Sequence, residues 1–340
     1  MANNILGIDI GYDRLKLVLM NGAQVRKAVS VSMPQKLIRE GRVVSVEAMA
    51  ELIRTTMKEN GIKCKNAALV LSEESVFVRN VTMPLMTAEQ LVYNLPYEFR
   101  DYITDELKDY IFDYAMISTS DKKSDGEQED EAASSRRTMD LFAVAAPISL
   151  IEESKDMVRK AGLKLVKAAP AVCSYMALLR KREEEMNISG GEYCILDLGY
   201  HAIRMYMFRK DHHVVSRVLE IGLSVLDDAI ADLYNVDVHL AHTYLLTNHE
   251  DCLHKEVCAN AYDNISVELM RALNFYSFNN PDSQLSDIWI CGGGAAIEPL
   301  TEAISRYLDM NIHDAQELIP GDVIPEESYI MIQAIGITQD

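Results

Sequence analysis

The sequence predicts an α/β protein built as two similar domains, the first of which carries a small inserted α+β subdomain. Three observations lead there. A strand, strand, strand, helix order occupies the opening of the chain and returns after residue 190. Each copy holds an Asp-x-Gly turn after its first strand, Asp9-Ile10-Gly11 and Asp197-Leu198-Gly199, and repetition at matching places marks a duplicated unit. At 340 residues and 49% hydrophobic content, the chain is also long enough for two domains that each bury a core unaided. The expected division is 1–189 and 190–340.

The elements follow in order. Residues 4–10 and 14–20 alternate as two strands across a Gly11-Tyr12-Asp13 turn, and Asn21-Gly22 is a hairpin signal into a third. Ser45 can cap a helix over 46–60, with Glu47 in its positive first turn, Ala48, Leu52, Ile53 and Met57 along one side, and Gly61 at its stop. Residues 67–115 read as strands and a helix, with Thr87 and Gln90 as a capping box ahead of Leu91, and should form the inserted subdomain. Residues 118–137 hold no aromatic or large aliphatic side chain to offset the entropy of ordering, so a mobile loop is expected there. A buried strand at 141–146 and helices over 149–161 and 171–185 lead into the second half. There 193–198, 203–208 and 214–219 read as strands, the last two joined by a Lys210-Asp211 turn, and 224–234 as the closing helix.

Charge and cysteine usage exclude several classes. The formal net charge is −19 with no basic run, so the long-range field repels nucleic acid and anionic lipid alike. Six cysteines without a CxxC pair lie mostly in apolar stretches and read as reduced core residues of a cytosolic protein. Asp9, Asp13, Arg14 and Lys16 break up the N-terminal stretch, which therefore reads as neither signal peptide nor membrane span, and no apolar run approaches roughly 18 residues. The tail carries no basic amphipathic helix. Direct membrane insertion is not expected, and any membrane association should come through a partner.

Each Asp-x-Gly turn sets a carboxylate at a strand end beside a glycine whose bare backbone admits a phosphate. A carboxylate cannot hold phosphate directly, so Asp9 and Asp197 would act through water on an intervening Mg²⁺. Lys16, in the next strand, could supply a positive partner. Gly292-Gly293-Gly294 follow an apolar strand and precede a helix, where exposed backbone lets anions and flat rings approach. Glu268, Arg271 and Asn274 form one polar helix edge that could face this loop, although such an edge is more often solvated. The plainer reading of either turn alone is a hairpin with a capping aspartate; their repetition favours a two-sided phosphate clamp. His212-His213 point to opposite strand faces and cannot easily share an ion, and His239, His242, His249 and His254 lack a zinc-like pattern.

Taken in order, LGIDIGYDRLKLV, CILDLGYHAIRMYMF and IWICGGGAAIEPL resemble the first phosphate, second phosphate and adenosine motifs of the actin, Hsp70 and sugar-kinase superfamily. Residues 168–178 and 329–337 are similar to its two connecting helices. Within it, residues 70–84, the run from Tyr97 to Ile103, Val144-Ala145-Ala146-Pro147, Lys160-Ala161-Gly162-Leu163 and residues 271–276 resemble segments of the PilM family of type IV pilus assembly proteins, over nearly the whole chain. The division protein FtsA is similar in its small subdomain, but its membrane-binding tail helix has no counterpart here.

The resemblance implies an actin-like (ASKHA, ribonuclease H-like) fold, with ATP or ADP and Mg²⁺ held by Asp9, Gly11, Tyr12, Lys16, Asp197, Gly199, Tyr200, the three glycines and the Glu268, Arg271, Asn274 edge. It also implies a scaffold role in the pilus assembly machinery and recruitment to the inner face of the cytoplasmic membrane by the N-terminal cytoplasmic segment of a PilN-like membrane protein, beside other pilus assembly proteins. Val76 and Val78 of one strand and Leu91, Leu95 and Phe99 of the neighbouring helical stretch are the expected peptide groove. Family members usually carry small or hydroxyl residues where this chain has Tyr12-Asp13-Arg14 and Tyr200-His201-Ala202, so at most a slow ATPase is expected. Glu98 and Glu220 are the candidates for orienting an attacking water, each with a structural role as the plainer reading. The rival functions are a pseudo-ATPase scaffold, a small-molecule kinase of the same superfamily and a filament-forming division protein.

Overall fold

The first sheet opens with β1 (Asn4–Ile10), β2 (Arg14–Asn21) and β3 (Gln24–Ser32), an antiparallel run whose second turn uses Gly22 at φ 59°. The computed structural model describes residues 4–34, 36–121, 137–186, 190–209, 212–320 and 327–339. A short hairpin, β4 (Ile38–Arg39) with β5 (Arg42–Val43), precedes α1 (Val46–Glu59), whose first turn is closed by Ser45 Oγ accepting from the Ala48 amide at 3.2 Å. β6 (Asn66–Leu71) then pairs parallel to β1. Alternation in β1 and β2 sends Leu6, Ile8, Leu15 and Leu17 to one face, where they pack with Met49, Ile53 and Met57 of α1. Val18 and Met20 take the other face.

A separate three-stranded antiparallel sheet follows, made of β7 (Phe77–Pro84), β8 (Tyr110–Asp121) and β9 (Arg137–Pro147) in the order β7-β9-β8. It is covered by α2 (Ala88–Asn94), started by a complete Thr87–Gln90 capping box, and by the 3-10 segment Leu95–Phe99. This sheet is assembled differently from the insertion expected at 67–115. Residues 66–71 belong to the first main sheet, and the central strand of the small sheet comes from 137–147. Of the loop expected at 118–137, residues 118–121 and 137 are strand, because cross-strand pairing continues past the last large apolar side chain. The rest of that stretch lies outside the described residues, as does the Lys210-Asp211 turn.

The chain returns through α3 (Ile148–Lys160) and β10 (Lys164–Pro170) to complete the first sheet in the order β10-β6-β1-β2-β3. α4 (Ala171–Met186) carries it into the second half. There β11 (Glu192–Leu198), β12 (Ile203–Arg209) and β13 (His212–Leu219) repeat the antiparallel opening. After α5 (Ser224–Tyr234), α6 (Val238–Thr247) and α7 (Glu256–Asn279), β14 (Asp287–Cys291) joins β11 in parallel. α8 (Glu298–Tyr307), β15 (Asn311–Asp314) and α9 (Ile332–Gly336) finish the described chain, and the second sheet runs β13-β12-β11-β14-β15. Each main sheet therefore sets one antiparallel hairpin pair beside parallel strands in the same order, as a duplicated unit does.

α4 and α9 lie between the sheets. Val18 and Met20 of the first and Ile195, Tyr206 and Phe208 of the second share a single apolar cluster with Tyr175, Leu178, Ile332 and Ile335. Both Asp-x-Gly turns are thereby held at one end of this shared core and face each other across a cleft. No helix of the described residues is long and apolar enough to cross a membrane.

Candidate functional site in the interdomain cleft

Strand register places the charges of the cleft. Asp9 is the next-to-last residue of β1, and its cross-strand partner on β2 is Lys16, whose ammonium lies 2.8 Å from Asp9 Oδ2. In the second half Asp197 pairs in register with Arg204 on β12. The duplicated hairpin thus sets a cation opposite each turn aspartate, and the equal spacing from aspartate to cation makes Arg204 readable from the sequence once Lys16 has been chosen. Burial opposes the charge on Lys16, but the carboxylates of Asp9 and Asp197 outweigh it and raise its pKa. Burial raises the pKa of Asp197, whose Oδ2 accepts from Gln333 Nε2 at 2.8 Å.

The cleft holds about 420 Å³ and is lined by Asp9, Gly11, Tyr12, Asp13, Lys16, Glu73, Asp197, Gly199, Tyr200, Arg204, His242, Gly292 and Gly293 among others. Its lining also includes apolar Leu245, Leu253, Ala296 and Ile297 of the second domain. Gly292 takes φ 84° in the turn after β14, and a Cβ there would stand 2.5 Å from Asp197 Oδ1, so only glycine lets the two loops approach. Gly294 has a different part. It is buried against Leu198 and Leu223 outside the cleft lining and serves packing.

Three groups of residues proposed from sequence lie elsewhere. Glu268, Arg271 and Asn274 are not part of the cleft lining; Glu268 and Arg271 pair with each other on the outer side of α7, while Leu269, Ala272 and Leu273 take its buried side. A polar helix edge at this spacing is here a solvated face. Glu98 and Glu220 also lie outside the cleft, the first in the 3-10 segment of the small subdomain and the second just after β13. Leu91, Leu95 and Phe99 are at most 2% exposed and form the core under the small sheet with Val81, Met83 and Leu141. Val76 is buried in the first domain's core and Val78 packs beside it. Leu91, Leu95 and Phe99 thus serve the subdomain's own core and Val76 and Val78 the packing of the first domain, so these five do not form an open groove. His213 is buried between the Phe142 and Phe208 rings and bonded to Ser216, and burial pushes its pKa down to about 4.

The side chains that do meet in the cleft include several that sequence reasoning passed over. The Tyr12 hydroxyl donates to Glu74 at 2.5 Å and accepts from the Gly41 amide at 2.7 Å, and its ring meets His201 edge-on with centroids 4.6 Å apart. Arg204 bonds the other Glu74 oxygen at 2.7 Å. Glu73 accepts from the Tyr206 hydroxyl at 2.9 Å and from the Val172 amide in the first turn of α4, and burial raises its pKa. His242 reaches Asp227 Oδ2 through Nδ1 at 2.9 Å, while the Tyr200 hydroxyl donates to the same oxygen at 2.7 Å. One signal existed for Asp227: it sits on the apolar side of α5 with Ile230 and Ala231, where an acid needs a partner.

Comparisons with known proteins bear on the family and the fold. Residues 7–317 match the family described as type IV pilus assembly protein PilM. A solved PilM-PilN type IV pilus biogenesis complex contains a chain that superposes with a TM-score of 0.80 at 20% identity, over 98% of this chain and 97% of that one. The ethanolamine utilization protein EutJ from Carboxydothermus hydrogenoformans gives 0.58 at 13% identity over 98% and 88%, and the archaeal actin homolog Ta0583 gives 0.50 at 12% over 98% of each. The fold is thus the actin-like one. No curated protein matches the sequence.

Proposed function

The chain belongs to the family of type IV pilus assembly protein PilM, and we propose that it is an actin-like scaffold of the pilus assembly machinery, held at the inner face of the cytoplasmic membrane by the cytoplasmic segment of a PilN-like membrane protein. The observation that carries this reading is the family match over residues 7–317, and the PilM chain it superposes on was solved with PilN. Charge supports it as well. Cytoplasmic segments beside membrane spans are rich in Lys and Arg, and a chain of net charge −19 attracts such a segment.

The groove best suited to the segment lies between the β4–β5 hairpin and the small sheet. It holds about 550 Å³ and is walled by Val43, Val44, Phe77, Tyr110 and Pro147, with Arg39, Glu40, Arg42 and Glu74 around it. Val44 is 61% exposed and gives the groove an apolar lip. A peptide copied from the partner's N-terminus should bind the wild-type chain, and Val44→Asp combined with Tyr110→Ala should weaken it by about tenfold or more, which is about 1.4 kcal/mol. The comparison variant is Val92→Asp with Tyr93→Asp on the exposed side of α2. If that pair abolishes binding while the groove pair does not, the segment docks on the helix instead.

The cleft is the place for ATP or ADP with Mg²⁺. Two hard carboxylates from facing turns suit a hydrated Mg²⁺, since their oxygens need reach only its waters. Lys16 already balances one of the two negative charges, and the apolar side chains of Leu245 and Ile297 in the lining suit a base. When bound, the ion would neutralise phosphate oxygens against the carboxylates. Lys16 would orient the phosphates, and Gly292 and Gly293 would admit them to the backbone. The Tyr12 and Tyr200 hydroxyls are engaged by Glu74 and Asp227, so neither is poised to serve a phosphate, in keeping with slow turnover. Calorimetric titration should show Asp197→Ala weakening ATP more in Mg²⁺ than in its absence. Equal losses in both would remove Asp197 from the cation site.

A further inference from the structure

One ion pair spans the cleft from the first phosphate turn to the second domain. His242 Nε2 lies 3.5 Å from Asp13 Oδ1, and its Nδ1 is held at 2.9 Å by Asp227. The two partners are unequal. Asp227 is fully buried, its Oδ1 has no hydrogen-bond partner among the described residues, and the cation it needs is the imidazolium. Asp13 keeps 36% of its side chain exposed and meets His242 at the longer distance, so water can replace it at little cost. The Tyr200 hydroxyl on Asp227 and the Tyr200 ring edge, 5.5 Å from the imidazole centroid, fix the plane of the ring. His242 is therefore a firmly mounted cation whose second donor faces the cleft and is covered by an exchangeable anion.

We propose that Asp13 occupies His242 in place of a ligand anion, and that the phosphate chain of a nucleotide entering the cleft displaces the Asp13 carboxylate and takes over the Nε2 donor. The proposal rests on the nucleotide reading of the cleft. It adds that His242, with Asp227 and Tyr200 as its positioning residues, is a phosphate contact, and that Asp13 is a built-in competitor which holds affinity down. No bond is made or broken; one anion replaces another on a standing cation. Asp13 also repels phosphate through its own charge, so both effects act in the same direction.

The test is calorimetric titration with ATP and, separately, with adenosine, on the full chain and on Asp13→Asn, His242→Gln and the double variant. Asp13→Asn should tighten ATP by about tenfold, and His242→Gln, which keeps a donor toward Asp227, should weaken it by about as much, factors ordinary for one charge contact in a partly desolvated site. In the His242→Gln background the gain from Asp13→Asn should shrink, because no cation remains to be freed. Adenosine, which has no phosphates, should bind all four proteins equally. ATP affinity left unchanged or weakened by Asp13→Asn overturns the proposal and leaves the nucleotide reading standing. Silence of the wild-type protein and the Asp13→Asn variant toward both ligands overturns that reading and the proposal with it.

Discussion

Gly7→Ala should destabilise the protein by about 3 kcal/mol or more, a large share of the roughly 5–15 kcal/mol that holds a domain together. Gly7 lies in the middle of β1, paired with Val18 and Ala68. A Cβ added there would stand 1.8 Å from the Ala334 carbonyl oxygen and 2.8 Å from its carbon. The obstacle is helix backbone, which cannot rotate away as a side-chain tip can. On its other side α9 is equally confined, since a Cβ on Gly336 would meet the Ser174 carbonyl of α4 at 2.4 Å. The helix is wedged between β1 and α4 with no room to slide. Its displacement would also move Gln333, which binds both Asp197 and the Tyr175 hydroxyl, so nucleotide affinity should fall even in molecules that remain folded. Urea denaturation reads the effect. Gly22→Ala is the comparison, because Gly22 has a positive φ but nothing within 4 Å of a Cβ, and should cost only about 1 kcal/mol. Equal midpoints for the two variants would show that the packing of α9 on β1 is looser than the geometry requires.

What could be read in the sequence follows from which forces are local. Hairpin turns, caps and alternating strands are set by neighbours a few residues apart, so β1, β2, α1, α5 and the capping box at Thr87 are legible almost to the residue, and β3 is legible as the strand after the Asn21-Gly22 turn. The repeat was legible for the same reason. The small sheet was not, because its central strand, β9, comes from residues beyond a polar stretch and pairs with strands on both sides. Nothing local says that β6 belongs with β1 rather than with β7.

The cleft divides in the same way. Asp9, Gly11, Tyr12, Lys16, Asp197, Gly199 and Tyr200 line it because each sits in or beside a hairpin turn that topology brings to one end of the sheets. The edge at Glu268, Arg271 and Asn274 shows the limit of periodicity: it tells that one face of α7 is polar, not whether that face meets a ligand or water. The same limit applied to Leu91, Leu95 and Phe99, whose apolar spacing is that of a core as much as of a groove. Glu73 and His242 come from distant parts of the chain, and only folding brings them to one cavity, with Asp227 buried behind His242.

The stabilisation that His242 provides should disappear between neutral and strongly alkaline pH. Its ion pair with Asp13 and then its hydrogen bond with Asp227 push its pKa up from an ordinary 6.5 to about 10, burial opposing them; Tyr200 is the other titratable group against the ring, and Arg14 and Lys16 act on Asp13. A pKa raised on folding means that the native state binds the proton more tightly. The contribution is therefore complete below about 6.5 and is lost as pH climbs through about 10. Each tenfold gain in proton affinity is worth about 1.4 kcal/mol, and after allowance for the wet Asp13 side the pair should supply on the order of 3 kcal/mol at pH 7 and under about 1 kcal/mol at pH 9.5. Glutamine at this position keeps a hydrogen bond toward Asp227 but has no proton to lose in this range. Urea denaturation of wild type and His242→Gln at the two pH values should show the stability gap between them narrowing by about 2 kcal/mol. A gap that stays constant would mean that the imidazole is neutral in the folded protein, and that Asp227 is buried without the cation the geometry gives it.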